Sequence, residues 1–149
     1  MMKNSSAISA YNRVGIESSI TAADPHKLIS MLYQGALQAI TNAKNGILRN
    51  DIPGKGASIS KAMAIIGEGL HASLDKSVGG ELAQNLASLY DYMVYRLFAA
   101  NLNNDVVALD EVSRLLSDLK DAWDSIRPIV MQTAAPAQKA VAPLTYGSR

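Results

Sequence analysis

The sequence predicts an all-α protein, an antiparallel up-down-up-down four-helix bundle with an N-terminal arm and a mobile C-terminal tail. Three observations lead there. Alanine, leucine and isoleucine dominate the apolar residues, and aromatics make up only 5% of the 149-residue chain, which favours helix over sheet. Four long segments carry apolar residues three and four positions apart. Short clusters of Asn, Asp, Gly and Pro separate them and stop a helix. The length suits one domain with a sizeable core. We divide it into an arm over 1–20, a bundle over 21–131 and a flexible tail over 132–149.

The arm is mostly small and polar, but Ile8, Tyr11, Val14 and Ile16 interrupt it. Two readings stand for it: a disordered leader with incidental hydrophobes, or an arm that docks on the body.

Helix 1 is expected over 25–49. Asp24 can cap its free amides, and Pro25 suits the first helical position because it has no amide to leave unsatisfied. Leu28, Leu32, Ala36, Ala39, Ala43 and Ile47 form its stripe, widened by Ile29, Tyr33, Leu37 and Ile40. The turn residues Asn50 to Gly54 end it. Helix 2 is expected over 54–74, with Ile59, Ala62, Met63, Ile66 and Leu70 inward. Gly67 and Gly69 inside it either permit close approach of another backbone or are tolerated defects. Ser77 to Gly80 form the next break.

Helix 3 is expected over 81–102, with Leu82, Leu86, Leu89, Met93 and Leu97 on its seam. Asn103, Asn104 and Asp105 make a cap-rich connection. Helix 4 is expected over 106–126, where Leu109, Val112, Leu116, Leu119, Trp123 and Ile126 make a heptad seam. Pro128 ends it or kinks its end, and the Ala- and Pro-rich residues 132–149 offer no periodicity with which to dock.

Composition excludes several function classes. A net charge of +1 gives none of the basic excess of nucleic-acid binders. The absence of cysteine excludes disulfides, thiolate chemistry and cysteine-based zinc sites. No apolar run is long enough for a membrane span, and no secretory signal opens the chain, so a cytoplasmic location is expected. Glu68 and His71 form half of a bundle-type di-iron motif, but the second Glu-x-x-His is missing. An ordinary solvent-facing i,i+3 pair accounts for them. Gly79-Gly80 lacks the Lys-Ser/Thr of a phosphate-binding loop. Asp91, Asp105, Asp110, Glu111 and Asp118 read as solvated helix charges. No catalytic residue, cofactor or metal is expected, and the protein is not expected to be an enzyme.

What remains is surplus apolar surface. A bundle helix needs roughly three apolar positions per heptad, and these helices offer more. Tyr90, Val94 and Phe98 make a second stripe on helix 3, Ile65 lies beside Ile66, and Tyr33 and Leu37 lie beside the helix 1 seam. Most of this surplus fits a wide core. The remainder would line interhelical grooves that accept an amphipathic segment. Tyr33, Tyr92 and Tyr95 suit such a surface, with an apolar ring and a polar tip.

Three strings add a resemblance. The first runs from Ala23 through Pro25-His26-Lys27-Leu28-Ile29 and Met31-Leu32-Tyr33 to Gly35-Ala36. The second is Gly79-Gly80-Glu81-Leu82-Ala83, and the third is Leu89-Tyr90-Asp91-Tyr92-Met93 continuing to Ala100-Asn101. In this order and spacing, over roughly Tyr11 to Trp123, the chain resembles the FliS family of flagellar secretion chaperones. The resemblance implies a cytoplasmic bundle that binds the disordered C-terminal segment of flagellin, prevents premature polymerisation and keeps it competent for flagellar type III secretion. It raises components of the export apparatus as further partners. It also makes Tyr11 and Val14 of the arm part of the client-responsive surface. With the surplus stripes, the expected client-binding set is Tyr11, Val14, Tyr33, Leu37, Ile65, Tyr90, Val94 and Phe98. The alternative is a helical adaptor or regulator for a folded partner. A metallo-oxidase bundle and a self-assembling helical oligomer are the remaining readings, and elemental analysis separates the first of these from the rest.

Overall fold

The computed structural model describes residues 24–74 and 76–126. Tyr11 and Val14, the rest of the arm and the expected tail lie outside the described residues. The described chain forms four helices: α1 (Pro25–Leu48), α2 (Ile52–Ala64, continued by a π-helical turn over Ile65–Leu70), α3 (Lys76–Asn103) and α4 (Val106–Ser125). Each packs against its neighbours in sequence, and α1 against α4 closes the ring. Cross-contacts fix the antiparallel sense. Lys44 bonds Asp110 while Ser30 bonds Asp124, and Lys55 reaches Asn101 while His71 meets Asp91.

Local chemistry sets the helix ends. Asp24 caps α1 by accepting from the Lys27 amide at 3.1 Å, with Pro25 in the first turn as expected. The α1–α2 and α3–α4 connections share one device. An asparagine in the left-handed region, Asn50 at φ 58° and Asn104 at φ 51°, closes one helix. The next residue, Asp51 or Asp105, donates its amide back five residues, to Gly46 or Ala100. Its side chain then caps the following helix at Gly54 or Ala108. This moves the start of α2 to Ile52 from the expected Gly54: Asp51 and Pro53 begin a helix just as Asp24 and Pro25 do.

The second half of expected helix 2 differs most. The α-helix stops at Ala64, and the turn that follows is π-helical, with His71 N–H bonding Ile66 C=O at 2.8 Å. Gly67 and Gly69 hold this turn weakly to α-geometry. Gly67 makes no close approach, since a Cβ there would find only Val94 at 3.9 Å. The close approach lies at Gly46, where a Cβ would come within 3.0 Å of the Lys55 backbone. Gly80, at φ 56° and ψ −130°, breaks the helical geometry within α3 and sets the regular helix running from Glu81, the expected start.

The core holds most of the expected seams: Leu28, Leu32, Ala36 and Ala39 of α1, Ile59, Ala62 and Ile66 of α2, Met93 and Leu97 of α3, and Leu109, Val112 and Leu116 of α4. Two seam residues fail. Leu82 is 67% exposed and Ile126 38%. Both lie at the end of the bundle where α3 begins and α4 stops, and at the start of the regular part of α3 the buried position is taken by Ala83. Leu86, one turn further on, shares a cavity wall with Trp123 and is half-buried.

Candidate functional site

Two apolar features stand out, and α3 contributes to both. The first is a cavity of about 160 Å³ near the start of α1, walled by Ile29, Tyr33, Leu70, Ser73, Leu74, Leu86, Tyr90 and Trp123. It lies where α1, the π-turn and the residues after it, α3 and α4 converge. The Tyr33 and Tyr90 hydroxyls meet across it at 2.6 Å. Burial is the main reason both phenol pKa values are pushed up, so both hydroxyls stay protonated in the neutral range. The Trp123 ring stacks on His26 and fixes the α4 wall to the first turn of α1.

The second feature is an outward ridge on α3. Tyr95, Phe98 and Leu102 fall at i, i+3 and i+7, on the face opposite Met93 and Leu97. They are 65%, 51% and 67% exposed. Tyr92 continues the ridge, its hydroxyl donating to Glu111 at 2.6 Å while Arg96 donates to the same carboxylate at 2.7 Å. These two bonds hold the Glu111 carboxyl below its ordinary pKa and fix the α3–α4 spacing beneath the ridge. A third, larger groove of about 300 Å³ between α1 and α2 is lined by Met31, Gly35 and Ala39 together with Gln34, Gln38, Asn42, Ser58 and Lys61.

The structure distributes the expected client-binding residues that it describes over four environments. Tyr33 and Tyr90 come together as cavity walls, but as buried side chains rather than open groove residues. Leu37 and Val94 are half-buried and pack against the core. Phe98 stands on the ridge. Ile65 is fully buried in the core. The π-turn explains it: a wider turn brings Ile65, Ile66, Gly69 and Leu70 inward together. The expected pairing of Glu68 with His71 is also replaced, since His71 Nε2 lies 3.3 Å from Asp91 of α3. Asp110 and Glu111, read as solvated charges, instead tie α4 to Lys44 and Arg96.

Sequence reasoning missed Leu102 and Val107, which are exposed, and Ile29, Leu70, Leu74 and Leu86 as cavity walls. The i, i+3, i+7 spacing of Tyr95, Phe98 and Leu102 was a usable signal for the ridge. The cavity had none, because four separate elements build it. Among the described residues, no group of three His, Cys, Asp or Glu side chains could hold a metal ion. No helix among them is long and apolar enough to cross a membrane.

Comparison with known proteins places this arrangement. The family model described as flagellar protein FliS matches residues 7–130. The flagellar secretion chaperone FliS of Salmonella typhimurium is 47% identical over 85% of this chain and 94% of its own length. The flagellar secretion chaperone FliSB of Pseudomonas aeruginosa is 48% identical over 80% of this chain and 94% of its own. The Bacillus subtilis FliS is 37% identical over 72% of this chain and 78% of its own.

Proposed function

Because the chain belongs to the FliS family of flagellar secretion chaperones, we propose that it binds the disordered C-terminal segment of flagellin in the cytoplasm. Binding there prevents premature polymerisation and keeps the client competent for flagellar type III secretion. The observation that carries this reading is the double apolar character of α3. Leu86 and Tyr90 wall a cavity, while Tyr95, Phe98 and Leu102 stand out from the opposite face. A compact partner would cover one of these faces. A segment that is flexible when free can follow the surface from one to the other.

The mechanism is holding rather than turnover. Apolar client side chains leave water at about 25 cal/mol per Å² of buried surface. Ordering the client offsets several kcal/mol of that gain. The balance favours a long, wrapped contact that is released by local peeling. The arm belongs to the same surface in this reading: the chain preceding Asp24 leads into α1, whose first turns carry Ile29 and Tyr33 of the cavity. Tyr11 and Val14 then act as client-responsive residues. Components of the export apparatus are the further partners of the loaded complex.

Calorimetry with full-length and C-terminally truncated flagellin tests the proposal. One flagellin per bundle is expected, with a negative heat-capacity change, weak salt dependence and no binding of the truncated form. Equal binding of both forms would transfer the reading to an adaptor for a folded partner.

A further inference from the structure

Tyr33 and Tyr90 together carry two hydroxyl protons, and their mutual hydrogen bond uses one. Neither hydroxyl has a further partner among the described residues. The two side chains are only 4% and 2% exposed, and both line the cavity of about 160 Å³. The other polar hydrogens of the lining side chains are committed. Ser73 Oγ donates to the Gly69 carbonyl at 2.6 Å, and Trp123 Nε1 donates to the His26 carbonyl at 2.9 Å. The tyrosine pair therefore holds the one uncommitted side-chain proton of an otherwise apolar wall.

We propose that this cavity docks a polypeptide segment presenting an aliphatic or aromatic side chain next to a backbone carbonyl, and that the Tyr33–Tyr90 hydroxyl pair selects it. The identity of that segment as flagellin rests on the chaperone reading above; the chemistry of the cavity does not. Size fits one side chain, since an apolar cavity of about 150 Å³ accepts benzene. A purely apolar occupant, such as a lipid or detergent tail, would seal the spare proton away from any acceptor. A buried unmatched donor is costly, so such an occupant is disfavoured by the site itself. Every residue of a polypeptide carries a carbonyl beside its side chain, and that oxygen can accept the proton.

A pair of small probes tests this without a client. Cyclohexanone carries the acceptor, and methylenecyclohexane has the same shape without a comparable one. Each is titrated into the full-length protein and followed through the Trp123 indole N–H and Tyr Cζ resonances. The ratio of their affinities in the wild type is compared with that in Tyr33→Phe/Tyr90→Phe. Replacing both phenols removes the donor and leaves no unpaired group, so the fold is expected to persist. The preference for cyclohexanone should fall about tenfold in the double variant, the usual weight of one buried hydrogen bond. Should the variant lose its helical signal, the wild-type Tyr Cζ shifts decide. They must move with cyclohexanone by more than with methylenecyclohexane. An unchanged ratio, equal Cζ shifts, or neither probe disturbing these resonances overturns the proposal. Flagellin binding by the wild type is scored separately and bears on the chaperone reading alone.

Discussion

His26 and Trp123 hold each other from both directions. The His26 ring donates from Nε2 to the Trp123 carbonyl at 2.7 Å, and Trp123 Nε1 donates to the His26 carbonyl at 2.9 Å. Their rings stack at 4.5 Å and 7°. Because a carbonyl can only accept, the imidazole carries its hydrogen on Nε2. Ser30 adds a bond to Asp124 one turn along. The start of α1 and the end of α4 are thereby clamped beside the cavity.

Trp123→Ala should destabilise the protein by about 3 kcal/mol, combining lost packing with the lost indole bond to the His26 carbonyl; the bond from His26 to the backbone carbonyl of residue 123 does not need the indole. Trp123→Phe should recover the stacking but not the bond to the His26 carbonyl. Urea denaturation followed by circular dichroism checks both. Equal stability of the wild type and Trp123→Ala would show that the clamp contributes nothing.

Lys55 is buried, and its ammonium donates to the Asn101 carbonyl at 2.7 Å and to the Asn104 side chain. It thus satisfies the end of α3 from α2. Lys55→Met keeps the hydrocarbon stem and removes the donors. We expect a loss of about 2 kcal/mol, with hydrogen exchange accelerating first at the α3–α4 connection. Unchanged exchange there would mean that solvent replaces the lysine fully.

Glu111 and Asp124 both have carboxyl pKa values below the ordinary range, Glu111 chiefly through Tyr92 and Arg96, Asp124 chiefly through Lys120 and Ser30. A depressed carboxyl binds protons less readily when folded than unfolded. Its stabilisation is full above the unfolded pKa and disappears as pH falls through the folded one. The protein should therefore lose stability below about pH 4. Glu111→Gln should be less stable than the wild type at neutral pH and converge with it in acid. Parallel stability curves at all pH values would contradict this.

Phe98→Glu and Ile65→Ala should separate the ridge from the core. Phe98 is half-exposed, so its replacement should abolish flagellin binding with the helical signal and melting temperature nearly intact. Ile65 is fully buried, and Ile65→Ala should cost about 2–5 kcal/mol. Flagellin binding that survives Phe98→Glu would remove the ridge from the client surface.

Much of the fold was legible because its signals are local. Asp24-Pro25 starts a helix wherever it stands, since the cap and the fixed φ act within one turn. Asn104-Asp105 ends one helix and begins another for the same reason. The period of Leu28, Leu32 and Ala36, or of Leu109, Val112 and Leu116, names a buried face without reference to any partner.

The sequence by itself therefore determined four helices, their antiparallel order and most of the core. Tertiary structure alone decided which surplus hydrophobes are covered. Ile65 and Phe98 looked alike as members of second stripes, yet one is sealed and the other stands in solvent. Leu82 fits a seam, yet its neighbour Ala83 takes the buried position. The Tyr33–Tyr90 bond joins residues 57 apart, and the His26–Trp123 clasp joins residues 97 apart. Periodicity records the direction a side chain takes from its own helix. It carries no information on the length, offset and local winding of the helix opposite, and those set burial and bring distant polar groups within bonding distance.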